Sequence, residues 1–141
     1  MVVEKENTMD KMVERTIDNK DKAPECLEKG CYKGYNYYIC FAYLCPTAYV
    51  RLPENNKWFG KNYHEIKIGY EPHGCFTFSD NKLNYGIKDD GWFVGWDYGH
   101  VGDYLQLVAE KIGQSGKLWT MSEIRAECKK VIDALIGDAD I

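Results

Sequence analysis

The sequence predicts an α+β fold, an antiparallel sheet of five to six strands with a C-terminal amphipathic helix packed on one face, from three features. Short aromatic and β-branched runs succeed one another between residues 35 and 96, separated by turn signals. The intervals between those runs are too short for parallel crossovers, which need roughly a dozen residues each. Beyond them, Ile124, Cys128, Val131, Ile132, Leu135 and Ile136 recur at helical spacing until Gly137. With 141 residues, the chain suffices for one domain that buries roughly two-thirds of its unfolded surface.

Residues 1–30 read as a charged N-terminal segment, flexible or weakly helical, in which Met9, Met12, Val13 and Ile17 fit one narrow helical face. Pro24 and Gly30 separate it from a single α+β domain over residues 31–141. Strands are expected over residues 35–44 and 48–52, around Ile66 and Ile68, over 73–79 and 83–87, and over 92–96 after the Asp90-Gly91 turn signal. A short helix is expected over 104–112, with Asp103 as a plausible N-cap. Thr120-Met121-Ser122-Glu123 has the spacing of a capping box and starts the C-terminal helix. No internal repeat or low-complexity tract is present.

Lys plus Arg total 18 against 22 for Asp plus Glu, a net charge of -4, so the basic footprint of a duplex-binding protein is missing and no direct nucleic-acid partner is expected. No apolar run approaches the roughly 20 residues a membrane span needs. The first 22 residues contain no apolar signal core, so a cytoplasmic setting is expected, and with it reduced thiols at all six cysteines. Cys26/Cys31 and Cys40/Cys45 share a gap at the loose end of zinc-ligand spacing. Cys40 in an apolar run and Cys128 on a helix read better as small buried hydrophobes, so no cofactor is expected.

Residues 92–103 hold the densest group of unusual side chains. Gly99 and Gly102 relax the backbone around His100, while Asp97 and Asp103 flank it at three-residue separations, so the three polar groups can face one spot. His73, Thr77 and Ser79 lie at alternating positions of a second stretch and would share one sheet face.

Gly60-Lys61-Asn62-Tyr63 with Ile66, then His73-Gly74 with Thr77 and Ser79, then Trp92-Phe93-x-Gly95-Trp96-Asp97-x-x-His100-x-Gly102-Asp103, resembles a family of small phage and prophage proteins whose usual pattern is H-G-G-L-T-Y-S and W-W-x-G-F-D-C-x-H. Tyr49-Val50 with Pro53 upstream, and Thr120, Ile124, Glu127-Cys128, Val131-Ile132 and Leu135 downstream, extend the likeness over about residues 34–136. Phe93 and Trp96 exchange ring types relative to that pattern, and Tyr98 stands where cysteine is common. The resemblance implies a phage origin and a cytosolic setting, and it carries no reaction.

Three functional readings follow. In the preferred one, a phage accessory, anti-defence protein binds and sequesters a small nucleotide-like host signal without transforming it. Tyr35, Tyr37, Tyr43, Trp92 and Trp96 would stack on its ring, Asp97, His100, His73, Thr77 and Asp103 would hydrogen-bond to it, and Lys61 or Arg51 would meet a phosphate. Aromatic residues also fill small cores, which is the plainer use of each ring. In the second reading His73, Asp97, His100 and Asp103 form a metal-dependent hydrolase centre, although neither HExxH nor a paired CxxC supports it. An aspartate tying a loop through a histidine gives the same pattern. In the third, acidic patches at Asp89-Asp90, Glu25 with Glu28, and Asp138 with Asp140 cap a basic groove of a host immune nuclease or complex. A homo-oligomer sharing one pocket between chains suits so short a protein.

Overall fold

The computed structural model describes residues 10–19, 23–106, 109 and 116–139, the side chains of 138 and 139 excepted. Five strands form one antiparallel sheet: β1 (Glu25–Tyr32), β2 (Tyr35–Phe41), β3 (Pro46–Leu52), β4 (Phe78–Asp80) and β5 (Trp92–Asp97). Their order across the sheet is β1-β2-β3-β5-β4. Among the described residues the α-helices α1 (Lys11–Ile17) and α2 (Met121–Ala139) pack with it. No helix among the described residues is long and apolar enough to cross a membrane.

Helix α2 covers one face as the periodicity predicts. Ile124, Cys128, Val131, Ile132 and Leu135 are fully buried against Ile39, Ala48, Val50, Val94 and Trp96. Each full burial of such an aliphatic side chain is worth about 1.5–3 kcal/mol, which makes this layer the main stabilising contact. The capping box forms in both directions: the Thr120 N–H donates to Glu123 Oε1 (2.9 Å), and the Glu123 N–H donates to Thr120 Oγ1 (3.2 Å). The opposite face carries a smaller core of Tyr38, Cys40, Tyr49, Leu83 and Phe93.

The expected boundary at residue 30 falls inside β1. Residues 25–32 pair with β2, so Glu25 to Gly30 belong to the sheet. Glu25, Glu28 and Lys29 are the charges of an edge strand, with a register shift between Cys26 and Glu28. The N-terminal helix is docked. Asp10 caps α1 by accepting from the Met12 and Val13 N–H groups (2.9 and 3.1 Å), and the same carboxylate accepts from the Met121 N–H at the start of α2 (3.0 Å). Met12 is buried, and Arg15 lies over the Phe41 ring while pairing with Glu25 at 2.8 Å. Met9 lies outside the described residues.

Ile66, Ile68 and residues 83–87 are irregular, and of the 73–79 run only Phe78 and Ser79 are strand, in β4, which continues to Asp80. These stretches bury isolated side chains such as Ile66 and Leu83 without a neighbouring strand to accept their backbone. Of the helix expected over 104–112, Gln106 and Ala109 are helical and the Ala109 N–H donates to the Leu105 carbonyl (2.9 Å); the remainder lies outside the described residues.

Two expectations test this architecture. Gly95 is buried in β5, where a Cβ would overlap the Tyr49 ring and sit 2.8 Å from the Ala48 carbonyl. Gly95→Ala should therefore cost about 1–3 kcal/mol in urea unfolding. A change within about 0.5 kcal/mol, the range of neutral surface substitutions, would contradict the packing. Arg125 grips Glu28 with two nitrogens (2.6 and 2.7 Å), and that hydrogen bonding holds the Glu28 carboxyl below its ordinary range. A depressed folded pKa means the stabilisation is present above the unfolded value, about 4.3, and is lost as pH falls through the folded value. The stability gap between wild type and Glu28→Gln should accordingly be widest near neutrality and close in acid.

Candidate functional site

Three segments converge beyond the end of β5. The first is a turn in which the Cys75 N–H donates to the Pro72 carbonyl (2.8 Å) and both Gly74 and Cys75 take positive φ (69°). The His73 N–H anchors this turn to α2 by donating to Glu127 Oε2 (3.0 Å). The second begins at Asp97, whose Oδ1 accepts from the Gly99 N–H (3.0 Å). It continues as a turn over 100–103, closed by the Asp103 N–H to the His100 carbonyl (2.9 Å), with Gly102 at positive φ. The third pins that turn from outside: the Lys117 N–H donates to the Gly102 carbonyl (2.7 Å), and Trp119 Nε1 donates to Asp103 Oδ1 (2.9 Å).

Acids and imidazoles alternate across this junction. His73 Nε2 lies 2.8 Å from Asp103 Oδ2, which also accepts from the His100 N–H at 2.9 Å. Burial opposes ionisation of Asp103, but the bonds from His100, Trp119 and His73 outweigh it and hold the carboxyl below its usual range. His100 Nδ1 is 3.6 Å from Asp103 Oδ2, and its Nε2 is 3.4 Å from Asp97 Oδ1. Thr77 Oγ1 donates to the other Asp97 oxygen at 3.3 Å. The His100 Nδ1 atom is buried and makes no hydrogen bond, and an unsatisfied polar group of this kind costs about 1–3 kcal/mol. Exposure runs from 3% at the Asp103 side chain to 27% at His73 and 36% at His100, so both imidazoles reach the surface above a buried acid.

The floor is aromatic. The His73 ring stacks flat on Tyr98, with centroids 5.1 Å apart, and Trp119 packs 4.9 Å from each of them. Tyr98 is fully buried and donates to Glu127, and burial together with that carboxylate pushes its phenol far above the ordinary range. Tyr70 gives Glu127 a further hydrogen bond at 2.7 Å and is itself pushed up to about 12 by burial and the carboxylate. Such an arrangement can accept and donate protons to a polar ligand. It can also offer ligand atoms to a cation, since one atom each from His73, His100 and Asp103 lie within 4.8 Å of one another.

His73, Thr77, Asp97, His100 and Asp103 are thus brought together, whereas most of the expected stacking rings are not. Trp96 is buried, and Tyr35, Tyr37 and Trp92 pack with it on the α2 side of the sheet. Tyr35 Oη accepts from Asn56 Nδ2 (2.9 Å), and Trp92 Nε1 donates to the Lys61 carbonyl (2.9 Å). Arg51 is held by Asp89 at 3.1 Å and by the Asp90 carbonyl at 2.8 Å. Tyr43 alone is free to stack, 73% exposed, and it lines a cavity of about 260 Å³ with Tyr49, Phe78 and Tyr85 on the face opposite α2. The expected acidic patches are largely spent inside the fold: Glu25 on Arg15, Glu28 on Arg125, and Asp89 on Arg51 and Tyr38. Asp138 and Asp140 lie outside the described side chains.

Two groups at the site were given no role by the sequence reading. Trp119 belongs to no motif. Glu127, at helical spacing from Ile124 and Val131, is a carboxylate on the edge of a buried stripe, and that placement is its signal. The cysteines pair across strands, Cys26 opposite Cys40, and not within either spaced doublet. Their mutual hydrogen bond pushes the Cys26 thiol down and the Cys40 thiol up. All six cysteines are free.

No family model matches the chain, and no curated protein or solved structure matches it.

A Cβ at Gly74 would overlap the His100 ring, and the residue already sits at positive φ. Gly74→Ala is expected to preserve the sheet, cost about 1–2 kcal/mol for the left-handed backbone, and shift the His100 imidazole resonances in an NMR spectrum. Unmoved resonances would contradict the close approach of turn and ring.

Proposed function

We propose that this protein is a phage accessory factor that acts in the host cytoplasm against a defence system by binding and holding a small nucleotide-like molecule. The ring system would lie against Tyr43, Tyr49, Phe78 and Tyr85, and the polar end would meet Asp97, His100, His73 and Thr77. One observation carries this reading: Thr47 of β3 is the register partner of Asp97 of β5, and its hydroxyl lies 3.3 Å from Tyr85 Oη. Asp97, at the edge of the imidazole–carboxylate centre, is therefore on the cavity's face of the sheet, while His73 lies beyond the end of β5 and is tied to α2 through Glu127. Stacking surface beside a few directed polar groups is the general composition of a small-molecule site. The phage setting rests on the motif resemblance. Direct capping of a host protein gains no support from the acidic residues, because the described ones are mostly paired within the fold.

Native mass spectrometry of the protein purified from cells provides the test. A retained small-molecule adduct is expected, lost in both Asp97→Ala and Tyr43→Ala while circular dichroism stays unchanged. An adduct that survives both substitutions, or none in lysate from phage-infected cells, would overturn the reading.

A further inference from the structure

The proposed ligand poses an electrostatic problem. A nucleotide-like molecule carries anionic oxygens, yet the centre presents Asp97 and Asp103, and among the described residues no lysine or arginine pairs with any of its four acid and imidazole side chains. Of the two expected phosphate partners, Lys61 and Arg51, Arg51 is engaged by Asp89. An anion would meet net repulsion unless positive charge is supplied from elsewhere.

We propose that His73, His100 and Asp103 hold a divalent transition-metal ion, and that an anionic oxygen of the ligand takes its open coordination position. This inference rests on the ligand-binding reading above. Bonds of about 2.0–2.1 Å in a tetrahedral site place ligand atoms roughly 3.3 Å apart. Here His73 Nε2 and Asp103 Oδ2 are 2.8 Å apart, His100 Nδ1 and Asp103 Oδ2 are 3.6 Å apart, and all three ligand atoms lie within 4.8 Å of one another.

The unpartnered atom points the same way. His100 Nδ1 is buried and unbonded, facing the carboxylate that already engages His73. Its other nitrogen lies 3.4 Å from Asp97, which Thr77 holds in turn. A carboxylate behind the far nitrogen of an imidazole is the usual support of a metal-bound histidine, because it fixes the tautomer and leaves the near nitrogen as the lone-pair donor. The Trp119 indole holds Asp103 Oδ1, His73 Nε2 lies within reach of both Asp103 oxygens (3.0 and 2.8 Å), and Oδ2 is the one nearer His100 Nδ1. Two imidazoles and one carboxylate form a borderline donor set suited to zinc and its neighbours, and three protein ligands leave room for an exogenous oxygen.

Zinc titration by calorimetry tests this, using the chelator-treated full chain with the exposed thiols Cys31 and Cys75 changed to serine. One equivalent is expected to bind. His100→Ala should weaken binding at least 100-fold, Asp97→Asn about 10–100-fold, and His64→Ala, an exposed imidazole on another turn, not at all. Because Asp103 is buried and Asp103→Asn could unfold the turn, the half-exposed His100 carries the decision. Absence of one-to-one binding, or equal affinity in His100→Ala, overturns the metal site. If the small-molecule adduct persists through chelation yet disappears in Asp97→Ala, the cation is wrong and ligand capture stands. If zinc binds and His100→Ala abolishes it while no adduct depends on Tyr43, the metal site stands and ligand capture falls.

Discussion

The Glu127 carboxylate is the constraint on which the site depends. It projects from α2 and accepts from the Tyr98 hydroxyl just beyond β5, from Tyr70, and from the His73 backbone. One side chain thereby ties the helix to the sheet end and to the turn that carries the first imidazole. Hydrogen bonds to a charged acceptor are stronger than neutral ones, about 1.5–3 kcal/mol each, and here they are directional as well. The aliphatic face of α2 fixes how the helix lies on the sheet. Glu127 then converts that placement into a position for His73.

Tyr98 shows why both layers are needed. Its ring is buried in the core and forms the stacking partner of His73, while its hydroxyl faces the carboxylate and accepts from Trp96 Nε1. A cysteine there would fill less volume and could not bridge the indole to the helix. Tyr98 therefore belongs to the packing beneath the centre, below the polar residues that it supports.

The capping box and the apolar faces of α2 were legible because their signals are local: spacing of three, four and seven residues, and a Thr/Glu pair at the right offset. The same holds for the turn around His100, where two glycines and two flanking aspartates lie within seven residues. What was not legible depends on partners far apart in sequence. β1 reads as a charged linker because its pairing with β2 is main-chain, and edge strands carry charges outward. Trp92 and Trp96 sit on β5 beside Asp97, but side chains alternate across a strand and pack where the helix is, so proximity in sequence to the polar cluster misassigned them. The cavity rings Tyr49, Phe78 and Tyr85 come from separate segments that only the tertiary fold assembles.

The contrast between the two polar networks argues that the imidazole–carboxylate centre is more than a fold tie. Around Glu127 the donors are matched to the acceptor, and the phenols are buried or half-buried, which is how a tie between layers should look. Around His100 one nitrogen is buried without a partner, the other is at long hydrogen-bond range, and both rings remain partly open to solvent. A tie selected only for stability would lose nothing by replacing such a ring with an apolar one and would avoid an unsatisfied atom. The fold instead holds His100 against a glycine that leaves no room for a side chain and behind an aspartate that orients it. The fold thus holds His100 Nδ1 unpaired beside a carboxylate and a second imidazole, an arrangement that a tie for stability alone does not require.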